Sequence, residues 1–79
     1  MTLSPVVAHI LIITDVGTEH EVAKELRKMP GVTEVGVTYG EYDLIVKIVA
    51  DNMAVLDKIV TDIRRHPNII KTSTLFWAT

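Results

Sequence analysis

Residues 22–32, VAKELRKMPGV, and residues 59–69, IVTDIRRHPNI, repeat one pattern of residue character. A shift of 37 positions lays Val22 on Ile59, Leu26 on Ile63, Lys28 on Arg65, Pro30 on Pro67 and Val32 on Ile69. Continued further, it sets Tyr39 against Phe76. Each copy reads as the apolar face of a helix, a basic end, a proline stop and the first residue of a strand. One structural unit therefore occurs twice.

Working outward, Val6 to Ile13 (VVAHILII) is a β-branched run closed by Asp15-Val16-Gly17, which predicts a strand and its turn. From Thr18 the period changes. Thr18 with Glu21 three residues on predicts a capping box, and Val22, Ala23, Leu26 and Met29 fall on one helical face until Pro30-Gly31 ends it. Val32 to Tyr39 alternates through Val35, Val37 and Tyr39, and after Gly40-Glu41 the run Asp43 to Ala50 reads as its hairpin partner. Asp51 or Asn52 is expected to cap a second helix carrying Met53, Leu56, Ile59, Val60 and Ile63, stopped by His66-Pro67. Ile69 to Trp77 supplies the last strand.

The order βαββαβ, with right-handed crossovers, predicts an α+β ferredoxin-like domain: a four-stranded antiparallel sheet with both helices on one face. Nothing in the chain marks an internal boundary, so residues 1–79 read as one domain. Two helices cover only one face of such a sheet, and here both faces are apolar. Ala8, Ile10 and Ile12 point one way on the first strand; Val7, Leu11 and Ile13 point the other, with His9 among them. In the third, Leu44, Val46 and Ile48 oppose Ile45 and Val49, which share a face with Lys47. Burying about five aliphatic side chains against a partner, at roughly 1.5–3 kcal/mol each, gives on the order of 10 kcal/mol before association costs. Dimerisation through the sheets is expected.

Composition sets further bounds. The chain has 79 residues, 48% hydrophobic and 23% charged, and a formal net charge of −2. The closest thing to a basic cluster is Arg64-Arg65-His66, so direct nucleic-acid binding is not expected. Cysteine is absent, which excludes disulfides and thiolate metal sites. No signal-peptide pattern precedes the first apolar run and no run reaches the roughly 18 residues of a membrane span, so a cytoplasmic protein is the expectation. His9, His20 and His66 offer no paired metal-ligand spacing. No phosphate loop, nucleophile elbow or Ser/His/Asp pattern is present, and the three Met residues read as core filler. The sequence reads as a non-enzyme without metal or cofactor.

One segment carries binding chemistry. In Tyr39-Gly40-Glu41-Tyr42-Asp43 a turn-forming Gly stands between two aromatics, with a carboxylate at the start of the following strand. The last strand adds the hydroxyls of Thr72-Ser73-Thr74 beside Leu75, Phe76 and Trp77. Hydroxyls and free turn N–H groups suit a carboxylate, an Asp suits an ammonium, and apolar walls suit a side chain, so these are the ingredients of an amino-acid pocket. The plain alternative is an ordinary hairpin turn and solvated carboxylates at Asp15, Glu41 and Asp43. On the pocket reading, Asp43→Ala weakens binding and spares the fold.

Gly40-Glu41-Tyr42-Asp43 followed by a β-run, an amphipathic helix and Thr72-x-Thr74 resembles the effector domain of the leucine-responsive/asparagine regulator (Lrp/AsnC) family, the RAM domain (regulation of amino-acid metabolism). Met29-Pro30-Gly31-Val32 fits the same pattern, and the resemblance spans about residues 5 to 79. It implies a domain that pairs through its sheets, assembles into octamer-like or decamer-like rings and binds amino acids where dimers meet. Carried over by position, the ligand site comprises Tyr39, Gly40, Glu41, Tyr42, Asp43, Thr72, Thr74, Leu75 and Phe76. Full-length members carry an N-terminal helix-turn-helix, whereas this chain opens almost directly on the first strand. That implies a stand-alone RAM domain modulating transcription or amino-acid metabolism by co-assembly with full-length regulators. Asn68 stands where the family often has Gly, a change expected to alter only a local turn. Two other readings are a small dimeric ferredoxin-like monooxygenase, for which His9 and Tyr42 are the candidate groups inside the sheet pair, and a pure assembly domain.

Overall fold

Strand β1 (Val6–Thr14) runs through the interior of the sheet, paired on both sides. In the computed structural model, which describes residues 5–77, it is followed by α1 (Glu19–Leu26), β2 (Val32–Val37), β3 (Leu44–Ala50), α2 (Met53–Arg64) and β4 (Ile69–Phe76). The strands form one antiparallel sheet in the order β2-β3-β1-β4. This is the βαββαβ, ferredoxin-like architecture the repeat predicts.

Register decides which side chains share a face. Ala8 lies opposite Ile48, Ile10 opposite Val46 and Ile12 opposite Leu44, and all six are fully buried together with Val22, Leu26, Leu56 and Ile63 from the helices. The other face sets Val7 against Val49, His9 against Lys47 and Leu11 against Ile45, and continues through Leu75, Ser73 and Lys71 on β4. None of these is buried, and Ile45 and Leu75 stand 38% and 52% exposed. The helices thus cover one face alone. Among the described residues no helix is long and apolar enough to cross a membrane.

The repeat extends into the backbone hydrogen bonds. Lys28 N–H donates to Glu25 C=O at 3.2 Å, and Arg65 N–H to Asp62 C=O at 3.3 Å. The next pairs, Met29 to Leu26 and His66 to Ile63, are both 3.1 Å, and Val32 to Met29 and Ile69 to His66 are 3.2 and 3.1 Å. The two turns diverge only at their fourth residue. Gly31 has φ +89 and a Cβ there would stand 2.5 Å from Ile59 Cδ1, so it combines a left-handed backbone with a close approach. Its counterpart Asn68 keeps negative φ. Its N–H donates to His66 Nδ1 at 3.1 Å and its carbonyl accepts from Asp15 N–H at 2.9 Å.

Several local expectations are corrected. Thr18 makes no capping bond: its backbone is α-helical and its hydroxyl donates to Asp15 C=O at 2.7 Å, serving the preceding turn. Asn52 does cap α2, its Oδ1 accepting from Val55 N–H at 2.9 Å. Helix α1 ends at Leu26, ahead of Pro30, because residues 27–31 form a turn. Met53 sits in the exposed first turn of α2. Strand β2 ends at Val37, leaving Tyr39 fully exposed, so the Tyr39–Phe76 match of the repeat is not structural. Strand β4 ends at Phe76, one residue short of Trp77.

Candidate ligand site at the Tyr39–Asp43 turn

Leaving β2, the chain turns through residues 39–43, and the turn is fastened at its base. Thr38 N–H donates to Asp43 C=O at 2.8 Å, and Thr38 Oγ1 to Tyr42 C=O at 2.7 Å. Gly40 sits at φ +123, a conformation side chains disfavour. Asp43 ties the turn to β1: its N–H donates to Ile12 C=O at 2.8 Å, and its Oδ2 accepts from Thr14 N–H at 2.9 Å. Thr14 Oγ1 stands 3.5 Å from the same oxygen, and Thr14 is the one buried polar residue among those described. Removing the carboxylate therefore strands a buried N–H. The expectation that Asp43→Ala spares the fold gives way on this point.

Facing the turn across a cavity of about 360 Å³ is the loop from β1 to α1. Thr38, Tyr39, Gly40 and Asp43 line one side, and Asp15, Gly17, Glu19 and His20 the other. Three carboxylates and one imidazole make this cleft predominantly anionic, suited to an ammonium group. Glu41 and Tyr42 do not line it; Glu41 is exposed and Tyr42 half-buried. The sequence reads Asp15-Val16-Gly17 as a turn and weighs Asp15, beside Glu41 and Asp43, as a solvated carboxylate rather than a wall of this cleft. The signal was available in the fold it predicted, since an antiparallel β1–β3 pair brings the end of β1 beside the start of β3.

The β4 group lies elsewhere. Thr72 pairs with Ile12, Thr74 with Ile10, Leu75 with His9 and Phe76 with Ala8, so β1 separates them all from β3 and its turn. Two strand spacings amount to about 10 Å. Thr72 and Thr74 share the helix-covered face and are half-buried, whereas Leu75 is on the bare face and Phe76 is 50% exposed at the far end of the strand. There His9 and Trp77 make an edge-on ring contact, centroids 6.1 Å apart. The single chain brings Tyr39, Gly40 and Asp43 together and leaves Thr72, Thr74, Leu75 and Phe76 apart from them. Among the described residues no three His, Cys, Asp or Glu side chains are grouped for a metal ion.

Comparison with known proteins agrees with this architecture. The family described as Lrp/AsnC ligand binding domain matches residues 7–78. The HTH-type transcriptional regulator FL11 of Pyrococcus horikoshii is 37% identical over 68 residues, 86% of this chain and 45% of FL11. The chain spans 30–46% of the length of the curated relatives it matches, all named HTH-type transcriptional regulators. The crystal structure of hypothetical protein PHS023 from Pyrococcus horikoshii superposes with a TM-score of 0.88 at 47% identity, covering 94% of this chain and 90% of that one. The Neisseria meningitidis regulator NMB0573, solved as a complex with L-Met, shares the fold at 21% identity and a TM-score of 0.82, covering 94% of this chain and 50% of that one. On the family match across nearly its whole length, the chain belongs to the Lrp/AsnC ligand-binding domain family.

Proposed function

We propose that this domain binds a free amino acid as an effector, in a site completed only when copies of the chain meet. The observation that carries this reading is the split geometry. A cleft suited to an ammonium lies at the Tyr39–Asp43 turn, while the hydroxyls and apolar groups of Thr72, Thr74, Leu75 and Phe76 stand on an outer strand across β1. A neighbouring copy presenting its β4 to this turn supplies the missing half. The half-exposed aliphatic face of Val7, Leu11, Ile13, Ile45 and Val49 supports pairing through the sheets. Dimers then join at their turns and outer strands into a ring of octamer or decamer type. The L-Met complex of NMB0573 supports the choice of ligand class.

On this reading the protein is a cytoplasmic, non-enzymatic modulator of transcription or amino-acid metabolism, acting through co-assembly with full-length regulators rather than by contacting DNA. A second reading, an assembly domain without ligand, is favoured by one observation: Asp43 Oδ2 is already held by Thr14 N–H. A thermal-shift screen against the twenty amino acids separates the two. Saturation at about 100 times Kd stabilises by roughly 2.7 kcal/mol. No shift from any amino acid at millimolar concentration leaves the assembly reading.

A further inference from the structure

The two halves of the chain also differ at the residue before the proline stop, Met29 in one and His66 in the other. In the second half, the His66 ring leaves the turn after α2 and its Nε2 meets the Glu25 carboxylate on α1. Its Nδ1 accepts from Asn68 N–H at 3.1 Å, which directs the ring proton on Nε2 to Glu25. The repeat converts Glu25 into Asp62 and His66 into Met29. Because the turn hydrogen bonds match in both halves, the Met29 side chain leaves the backbone from the position equivalent to His66. A thioether has no proton to donate. Between Met29 and Asp62 there is instead a cavity of about 320 Å³, walled by Met29, Val55 and Ile59 and flanked by Asp51, Lys58 and Asp62.

We propose that this niche binds a small protonated organic base, an imidazole or a short-stemmed amine, in the place that His66 fills in its twin. Two carboxylates against one ammonium give the rim a net negative charge. Arg65 stands 3.8 Å from Asp62, but its side chain is 77% exposed, and such a pair competes weakly. The volume lies at the small end of ligand pockets, which run from about 300 to 1,000 Å³. It accommodates a five-membered ring with a short stem. The niche is separate from the Tyr39–Asp43 cleft and shares no lining residue with it.

Imidazole titrated into protein carrying labelled isoleucine δ-methyl groups, at mildly acid pH, tests this. The Ile59 methyl is expected to shift saturably with a millimolar Kd, while the core methyls of Ile10 and Ile12 stay in place. Asp62→Asn is expected to weaken binding about tenfold. Met29→His, which rebuilds the twin's internal contact, is expected to abolish the Ile59 response and raise the unfolding midpoint by about 4 °C. An Ile59 signal that fails to move, moves without saturating, or moves equally with tetrahydrofuran, a ring of the same size without N–H, overturns the proposal. So does an undiminished response in Asp62→Asn.

Discussion

The two faces of the sheet are built from the same kinds of residue and meet opposite fates. Ile10, Ile12, Val46 and Ile48 are fully buried under the helices, whereas Leu11, Ile13, Ile45 and Val49, one position along the same strands, remain partly in water. Hydrophobicity alone does not distinguish them; the positions of Val22, Leu26, Leu56 and Ile63 on the helices do. An aliphatic face left bare on a chain this small is the surface on which the proposed pairing rests.

The largest expected effect breaks the covered face. Ile10→Lys places an ammonium where there is no water, and unfolding is expected at a cost above about 4 kcal/mol. Loss of the cooperative transition in circular dichroism checks this; a folded monomer would reverse the assignment of the faces. Leu11→Lys is the matching change on the bare face. It is expected to leave the fold intact and weaken sheet-to-sheet pairing by about 2–3 kcal/mol per copy, read by light scattering across a dilution series. An unchanged dimer would place the seam elsewhere.

Asp43→Ala sharpens the comparison at the end of the inner strands, because the buried Thr14 N–H loses its acceptor. A loss of about 1–3 kcal/mol is expected in urea denaturation, and Asp43→Asn, which keeps an acceptor oxygen, is expected to recover most of it. The smallest effect concerns the cover itself. Asn52→Ala removes a cap from α2 at about 1 kcal/mol, while Thr18→Ala, which removes no cap from α1, is expected to cost less than about half of that. Both are expected to lower Tm without altering association.

The elements were legible because their signals are periodic and strong. The 3.6-residue spacing of Val22, Ala23 and Leu26 and the alternation of Leu44, Val46 and Ile48 both end in buried side chains. Boundaries and caps were less legible, since they turn on single hydrogen bonds. Thr18 has the right residue type at the right spacing, yet its hydroxyl serves the turn behind it. Tyr39 continues an alternating pattern, yet the strand stops at Val37 and the ring stands in water. The candidate site was half legible. The turn chemistry of Tyr39 to Asp43 is local and readable, whereas the structural claim of Thr14 on Asp43 comes from 29 positions away. The strand order of the predicted ferredoxin-like fold already sets β1 between the turn and Thr72, a separation that residue types along the chain do not show.

The pairing of Ala8 with Phe76 has a consequence for how the chain is threaded. The beginning of β1 and the end of β4 lie side by side, at the end of the sheet away from the Tyr39–Asp43 turn. A circular permutant, closed by a short linker across those strands and opened between Gly40 and Glu41, is therefore expected to keep every strand pairing while cutting the candidate cleft. Such a permutant separates the architecture from the proposed recognition by a change of connectivity alone, with no side chain altered.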